Sequence, residues 1–221
     1  MSAIASRPDI DLKSDEPPNF AELVGGPWGM AESALPAVAY VVAYTVTGQE
    51  TKTAAIVAVA LALVLTLVRL ARRETPRNAL SGLIGVAFAA FIASRSGKAE
   101  DFFLPGLLMN AGYAAAFLIS LAVRWPLVGV VVSQIDTEHK GWREDARKYR
   151  VFARASWLWA GLFGLRLAVQ LPLYLASAVV ALGVARTAMG LPLFALGVWL
   201  TWLLVRRAGA SAPPSAPPAT A

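Results

Sequence analysis

The sequence contains no cysteine and a single histidine, His139, among its 221 residues. Disulfide bonds and cysteine-ligated metals are therefore excluded, and so is any site that needs two histidines. Charged residues are also few, because Asp, Glu, Lys and Arg make up only 15% of the chain, against about 25% in typical soluble domains. We expect no metal centre and no cofactor.

The motifs of the common catalytic classes are absent from the sequence as well. The chain has no Walker loop, no GxSxG nucleophile elbow, no HExxH zinc motif and no EF-hand loop. It also has no relay of histidine and aspartate within its apolar stretches. We therefore predict that the protein is not an enzyme.

Apolar residues dominate the chain, at 57% of the sequence and a mean hydropathy of +0.57. A helix needs about 20 mostly apolar residues to cross a bilayer core of ~30 Å. Six stretches meet this need, at about residues 30–46, 53–70, 78–94, 102–123, 155–183 and 188–205. The predicted fold class is therefore all-α, a polytopic bundle of six transmembrane helices within residues 20–207.

Lys and Arg are distributed unevenly between the two sides of the predicted bundle. Fifteen of the 20 lie before the first span, in the loop after the second, in the long loop 124–154, or after the sixth. The opposite side has four, which are Lys52, Arg95, Lys98 and Arg186. Because basic loops stay in the cytoplasm, both termini are predicted to be cytoplasmic. This topology explains the net charge of +6 without a nucleic-acid partner.

Four segments lie outside the predicted spans. Residues 1–19 are acidic and rich in proline, and residues 208–221 are rich in Ala, Pro and Ser, so we predict disordered tails at both ends. Residues 20–31 and 125–135 are apolar, but they are too short or too interrupted by Gly and Pro to cross. We predict that they form short interfacial helices or re-entrant segments.

Arg166 is the most informative polar residue, because it lies near the middle of the fifth predicted span. An arginine there costs at least about 2.5 kcal/mol, so it should face protein and have a partner. Gln170 and Tyr174 follow at one and two helical turns on the same face. Glu32, within the first apolar segment, is the natural counter-charge, and Asn110 is the lone amide of the fourth span.

Two interpretations of these polar residues remain open. Glu32, Asn110, Arg166, Gln170 and Tyr174 form either an intramembrane site for an anion or a proton, or a set of contacts that fix the helices. In the second interpretation Arg166 bonds to carbonyls or to one carboxylate. A water-accessible cavity at Arg166 and Glu32 would favour the first interpretation, and a dry core would favour the second.

Small residues recur at four-residue spacing in two of the predicted spans. They are Ser81, Gly85 and Ala89 in the third span, and Ala160 and Gly164 in the fifth. Small side chains at this period allow helix backbones to approach closely. We predict that both faces pack against other helices, either within the bundle or in a homo-oligomer.

The long loop 124–154 ends in a basic amphipathic stretch. Its candidate lipid contacts are Lys140, Trp142, Arg143, Arg147, Lys148 and Arg150. These residues fit binding to anionic headgroups of the inner leaflet. The alternative is an ordinary loop whose basic residues only set the topology.

Three stretches resemble a known family. They are GGPWGMAESALP at 25–36, DFFLPGLLMN at 101–110 and LRLAVQLPLY at 165–174. Over residues 20–205 the chain resembles an actinobacterial integral membrane family, domain of unknown function 3159, which implies the plasma membrane and no assigned role. The pairs Leu35-Pro36 and Thr47-Gly48 also resemble the start of the intracellular septation protein A family, which implies a role in envelope maintenance or division.

The sequence supports two functions from different classes. Small-residue faces, few intramembrane charges and the missing catalytic motifs favour a structural or accessory protein of the cell envelope. Such a protein would act through the lipid bilayer, a homo-oligomer or an envelope protein partner. The alternative is a small transporter or channel with a polar intramembrane site around Arg166.

Overall fold

The chain folds entirely into helices wherever its structure is described. The structure, a computed structural model, describes residues 26–72, 76–135 and 142–209, without the side chains of 26–33, 76–78, 135 and 207–209. In order, the helices are α1 (Gly26–Val46), α2 (Thr51–Ala71), α3 (Pro76–Ser96), a 3-10 helix (Ala99–Phe103), α4 (Leu104–Ala122), α5 (Leu127–Ile135), α6 (Ala146–Leu175), α7 (Val179–Ala188) and α8 (Leu191–Gly209). The predicted all-α fold class is confirmed.

Several of these helices have the length and apolarity of membrane spans. Within the described residues, five stretches are long and apolar enough to cross a membrane: Thr51–Ala71, Ala79–Ser96, Ala99–Ala122, Ala146–Leu175 and Val179–Arg206. α1 adds a shorter apolar stretch, Ala34–Val46. The chain therefore has the character of a multi-pass membrane protein, while the sixth span and the orientation of the termini stay predictions.

α6 begins at Ala146, well before residue 155, where hydropathy places the start of the fifth span. Asp145 caps the helix, because its carboxylate accepts backbone N–H groups of Arg147 at 2.8 Å and Lys148 at 3.2 Å. The same two hydrogen bonds hold the pKa of Asp145 below its usual value. The first turns of α6 are basic, which is why an apolar window does not detect them.

The region predicted as one span, 155–183, is divided between two helices. α6 continues through Pro172 and ends at Leu175. Ser177 then adopts a left-handed φ of 51°, and α7 follows. A second interruption after Ala188 separates α7 from α8, so the stretch Val179–Arg206 is a broken helix.

The described chain divides into two compact units, the larger of which takes the residues up to Ala114 together with Leu162–Ala195. Its core is built on Tyr40, which is fully buried. The Tyr40 ring stacks on Phe102 with the centroids 3.9 Å apart, and its hydroxyl donates to the carbonyl of Ala99 at 2.9 Å. This side chain therefore fixes α1 against the 3-10 helix.

Alanine forms most of the interface that α2 presents to its neighbours in the larger unit. Ala54 and Ala58 are fully buried in this core, as is Ala93 of α3. Because a methyl group is the whole side chain, the helices can approach closely and gain van der Waals contact. The bulky residues of α2 point the other way, and Ile56 is 69% exposed.

The smaller unit comprises Ala115–Gly161 and the chain from Leu196 onward. Its core includes Trp142, Phe152 and Ala155. The Trp142 ring lies against Gly129 of α5, where an added Cβ would stand 3.0 Å from the ring. Residues 125–135, predicted as a short apolar segment, thus form a nine-residue helix that packs on this core.

Replacing Ala58 by leucine should destabilise the protein by about 1–3 kcal/mol, because extra methylenes in a packed core force neighbours apart. Thermal unfolding in detergent measures the change. The matched control is Ala60→Leu, on an exposed position of the same helix. Equal losses from the two substitutions would show that the buried alanine face does not hold α2 in place.

Candidate intramembrane polar site

A cavity of about 340 Å³ lies within the larger unit. It is a half-open space bordered by α1, α4, α6, α7 and the start of α8. Its lining residues are Ala34, Ala37, Gly106, Met109, Asn110, Arg166, Gln170, Arg186, Thr187, Gly190 and Leu191. The walls therefore combine small apolar side chains with two arginines and two amides.

Arg166 projects from α6 and has both a main-chain contact and a free donor. One of its terminal nitrogens donates to the carbonyl of Gly190. That carbonyl lies at the interruption between α7 and α8, and it also accepts the backbone N–H of Phe194 at 3.2 Å. The Nε–H of Arg166 is buried and has no hydrogen-bond partner among the described residues. Arg166 thus bonds to a carbonyl, as the packing interpretation expects, and also lines a cavity, as the site interpretation expects.

Arg186 is the second arginine of the cavity, although its position in the sequence suggested an outer loop. It belongs to α7, and its guanidinium carbon lies 5.7 Å from the centroid of the Phe103 ring. The same guanidinium lies directly against Gly106, where an added Cβ would stand 2.2 Å from Nη1. The sequence carries one sign of this position, because the residues on both sides of Arg186 are mostly apolar.

The two amides that line the cavity are also without partners. Gln170 is only 3% exposed, and the described structure gives it no hydrogen bond. Asn110 of α4 lines the same cavity and is likewise unpaired with any described group. Buried polar groups normally have partners, so unpaired amides around a cavity suggest that a ligand or water supplies them.

The charges around the cavity are all positive in the part of the chain that the structure describes. No aspartate or glutamate is among its lining residues there. Glu32, the predicted counter-charge, belongs to α1, but its side chain lies outside the described residues. Among the described residues, the two guanidinium groups therefore give this cavity a positive potential.

Tyr174 is separate from this cavity, contrary to its predicted place beside Arg166 and Gln170. Its hydroxyl donates to the buried carboxyl group of Asp101 at 2.5 Å. The hydroxyl of Ser177 donates to Glu100 at 2.8 Å. These contacts join the end of α6 to the 3-10 helix, because Tyr174 lies a further turn along α6 than Gln170.

The predicted small-residue face of α3 is only partly buried. Ala89 is buried, but Ser81 and Gly85 are exposed within this single chain, and nothing approaches the Cβ position of Gly85. The face of α6 is similar, since Ala160 is buried while nothing lies near the Cβ position of Gly164. On both faces the alanine is buried and the glycine has no neighbour at its Cβ position, so four-residue spacing alone does not predict burial.

The predicted lipid-binding stretch is also divided by the structure. Trp142 is 5% exposed and belongs to the core, so it does not face lipid. Arg143 is exposed and stacks on Trp125, with its guanidinium carbon 3.9 Å from the ring centroid.

The remaining basic residues of that stretch begin α6 or fall outside the described chain. Arg147 and Lys148 supply the backbone donors that Asp145 accepts, and the side chain of Arg150 donates to the carbonyl of Ala146 at 3.1 Å. Lys140 lies outside the described residues. These contacts give the stretch a role in starting the helix, and lipid contact by its exposed arginines stays a prediction.

A family model described as a protein of unknown function, DUF3159, matches residues 24–212. The chain belongs to this family. The match covers every helix of the cavity and confirms the resemblance to domain of unknown function 3159. No curated protein and no solved structure matches the chain. Membership in DUF3159 assigns no role, so the function of the chain must be inferred from its site.

Replacing Tyr174 by phenylalanine should cost about 1–3 kcal/mol, because the buried carboxyl group of Asp101 loses its hydrogen bond. Thermal unfolding in detergent tests this. The control is Tyr113→Phe, since Tyr113 is 47% exposed and contacts Phe163 through its ring. If both variants unfold at the wild-type temperature, the bond between α6 and the 3-10 helix contributes no stability.

Proposed function

We propose that this protein is a small transporter that binds an anion in the cavity lined by Arg166 and Arg186. The observation that supports it is the pairing of two guanidinium groups on one cavity with no carboxylate among the described lining residues. Arginine is the side chain best suited to carboxylate and phosphate groups, because its planar fork offers several fixed donors.

The energetic cost of the two arginines supports an anion as the missing partner. A charged side chain within an apolar span is costly unless it is paired or faces a polar cavity. The carbonyl of Gly190 satisfies one donor of Arg166 but brings no negative charge. A bound anion would compensate the charge and supply acceptors for the unpaired donors.

The form of the cavity also suits a ligand. Small-molecule sites usually occupy about 300–1,000 Å³, and this cavity of about 340 Å³ is at the lower end of that range. It lies beside the interruption between α7 and α8, and many transporters place their substrates at discontinuous helices. Residues of five helices surround the space, so a movement of any one could change access to it.

The proposed setting is the plasma membrane, crossed six times, with both termini in the cytoplasm. α1 is 21 residues long, which is enough for the sixth span. Because Arg186 lines the cavity, the outer ends of the helices and their loops keep only Lys52, Arg95 and Lys98 as basic residues. The contrast with the fifteen on the inner side therefore supports the proposed sidedness.

A second candidate is a structural or accessory protein of the envelope. The hydrogen bond from Arg166 to Gly190 favours it, since this bond would fix α6 to the broken helix without any ligand. The exposed Ser81 and Gly85 of α3 also fit close contact with another copy or with an envelope protein. In this alternative the two arginines have only a packing role.

Anion binding predicts that sulfate, phosphate or acetate raises the unfolding temperature of the purified protein, because a ligand of the folded state stabilises it by mass action. The variant Arg166→Met should insert and fold but lose the rise. A suitable control is Arg95→Met, since Arg95 lies near Phe91 at the end of α3, outside the cavity. Differential scanning fluorimetry at constant ionic strength gives the measurement.

The two candidates differ in the behaviour of the wild-type protein. A transporter should show the anion-dependent rise and should take up the same anion when reconstituted into liposomes. No rise with any of the three anions, together with a lower unfolding temperature of Arg166→Met in the absence of anion, would contradict anion binding and support the scaffold.

A further inference from the structure

Three side chains of the cavity retain donors that the described protein does not use. The Nε–H of Arg166 is buried without a partner. The guanidinium of Arg186 has no hydrogen bond or ion pair with a described residue, although it lies near the ring of Phe103. The amide of Gln170, 97% buried, is also unpaired. Arg166 and Gln170 belong to α6 and Arg186 belongs to α7, and all three side chains line the same cavity.

Gly106 decides where the guanidinium of Arg186 can lie. A Cβ at this position would stand 2.2 Å from Nη1 and 2.8 Å from the guanidinium carbon of Arg186. Both distances are far inside van der Waals contact, so any larger residue would displace the group. The displaced atoms are the end of a flexible side chain, and α4 itself would not have to move.

We infer that the ligand of this cavity is a doubly charged oxyanion of the phosphomonoester class, held between Arg166 and Arg186, and that Gly106 positions Arg186 to bind it. This inference rests on the proposed function and names the substrate class for the same site.

The charge of the site favours a dianion over a monoanion. Two guanidinium groups carry two positive charges, and no described lining residue is acidic, so among these residues a monoanion would leave one charge uncompensated. Phosphate oxygens match the arginine fork and can accept from both side chains at once. The amides of Gln170 and Asn110 remain for the other oxygens or for hydroxyl groups of the ligand.

The walls of the cavity favour an organic phosphate over the bare ion. Beside the polar groups, Ala34, Ala37, Met109 and Leu191 line the space, and apolar walls gain from contact with carbon atoms. The phosphomonoester could belong to a soluble metabolite or to a lipid headgroup. Both share the chemistry that the arginines recognise.

The first test compares anions on the full-length protein in detergent by isothermal titration calorimetry. At pH 8 and constant ionic strength, hydrogen phosphate, glycerol phosphate and sulfate should each bind at least about tenfold more tightly than acetate or chloride. Between pH 8 and pH 5 the affinity for glycerol phosphate should fall, since phosphate monoesters lose their second charge near a pKa of about 6. The affinity for sulfate should stay constant over that range.

The second test uses Gly106→Ala with Gly112→Ala as its matched control. Both glycines lie in α4, but nothing lies within 4 Å of a Cβ at Gly112. Gly106→Ala should weaken glycerol phosphate binding at least about tenfold, whereas Gly112→Ala should change it less than about twofold. Circular dichroism and unfolding without ligand check that both variants fold.

A further variant keeps the inference testable if Gly106→Ala does not fold. Arg186→Lys keeps the positive charge but loses the planar fork, so it should lower the affinity for glycerol phosphate more than that for chloride. The source of the phosphate is decided by nanodiscs that contain phosphatidic acid. Binding to these, or to soluble glycerol phosphate, supports the class and shows which form the site accepts.

The possible failures are distinguishable. If acetate and chloride bind as tightly as the dianions, the inferred substrate class is wrong, although the cavity still binds anions as proposed. If no anion binds, both the inference and the proposed function are wrong. If Gly106→Ala folds and binds glycerol phosphate like the wild type, Gly106 does not position Arg186.

Discussion

The hydrogen bond from Arg166 to the main-chain carbonyl of Gly190 is the contact on which the structure of the cavity depends. It joins the middle of α6 to the interruption between α7 and α8. The same carbonyl accepts the backbone N–H of Phe194 at 3.2 Å, so the guanidinium adds a second, charge-assisted hydrogen bond at the start of α8. The bond therefore fixes the arginine of α6 to the start of α8, and both groups line the cavity.

No carboxylate among the described residues that line the cavity compensates the charge of Arg166. A carbonyl accepts a proton donor but does not neutralise a cation, and Arg186 adds a second positive charge on the same cavity. Gln170 and Asn110 add polar groups that no described residue satisfies. A fold that only needed to hold its helices together could fill this space with apolar side chains, so the polar lining supports the proposed ligand.

Residues with little or no side chain make this arrangement sterically feasible. Alanines let α2 and α3 approach closely, and Gly106 makes room for the guanidinium of Arg186. Gly183 has a similar role on α7, where a Cβ would stand 2.5 Å from a methyl carbon of Val41. α7 can thus lie against α1 at a distance that brings its arginine to the cavity.

Much of this protein could be predicted from local features of the sequence. Composition and apolar run length determined the all-α class and the membrane character, because a chain in lipid must satisfy its backbone within helices. The cost of a charge in such a helix singled out Arg166, and helical periodicity placed Gln170 beside it. The unbroken spans 53–70 and 78–94 correspond closely to α2 and α3.

Only the tertiary structure decided which other residues join Arg166. Arg186 was assigned to a loop because hydropathy does not show that α7 turns back beside α4. Tyr174 shares the face of Arg166 on α6, but its hydroxyl donates to Asp101 of the 3-10 helix and does not reach the cavity. Trp142 lies in an amphipathic stretch of the sequence. In the fold its ring is buried against Gly129, which has no side chain to keep it away. Local sequence thus set the helices and the cost of each charge, whereas the partners depended on long-range contacts that no local pattern encodes.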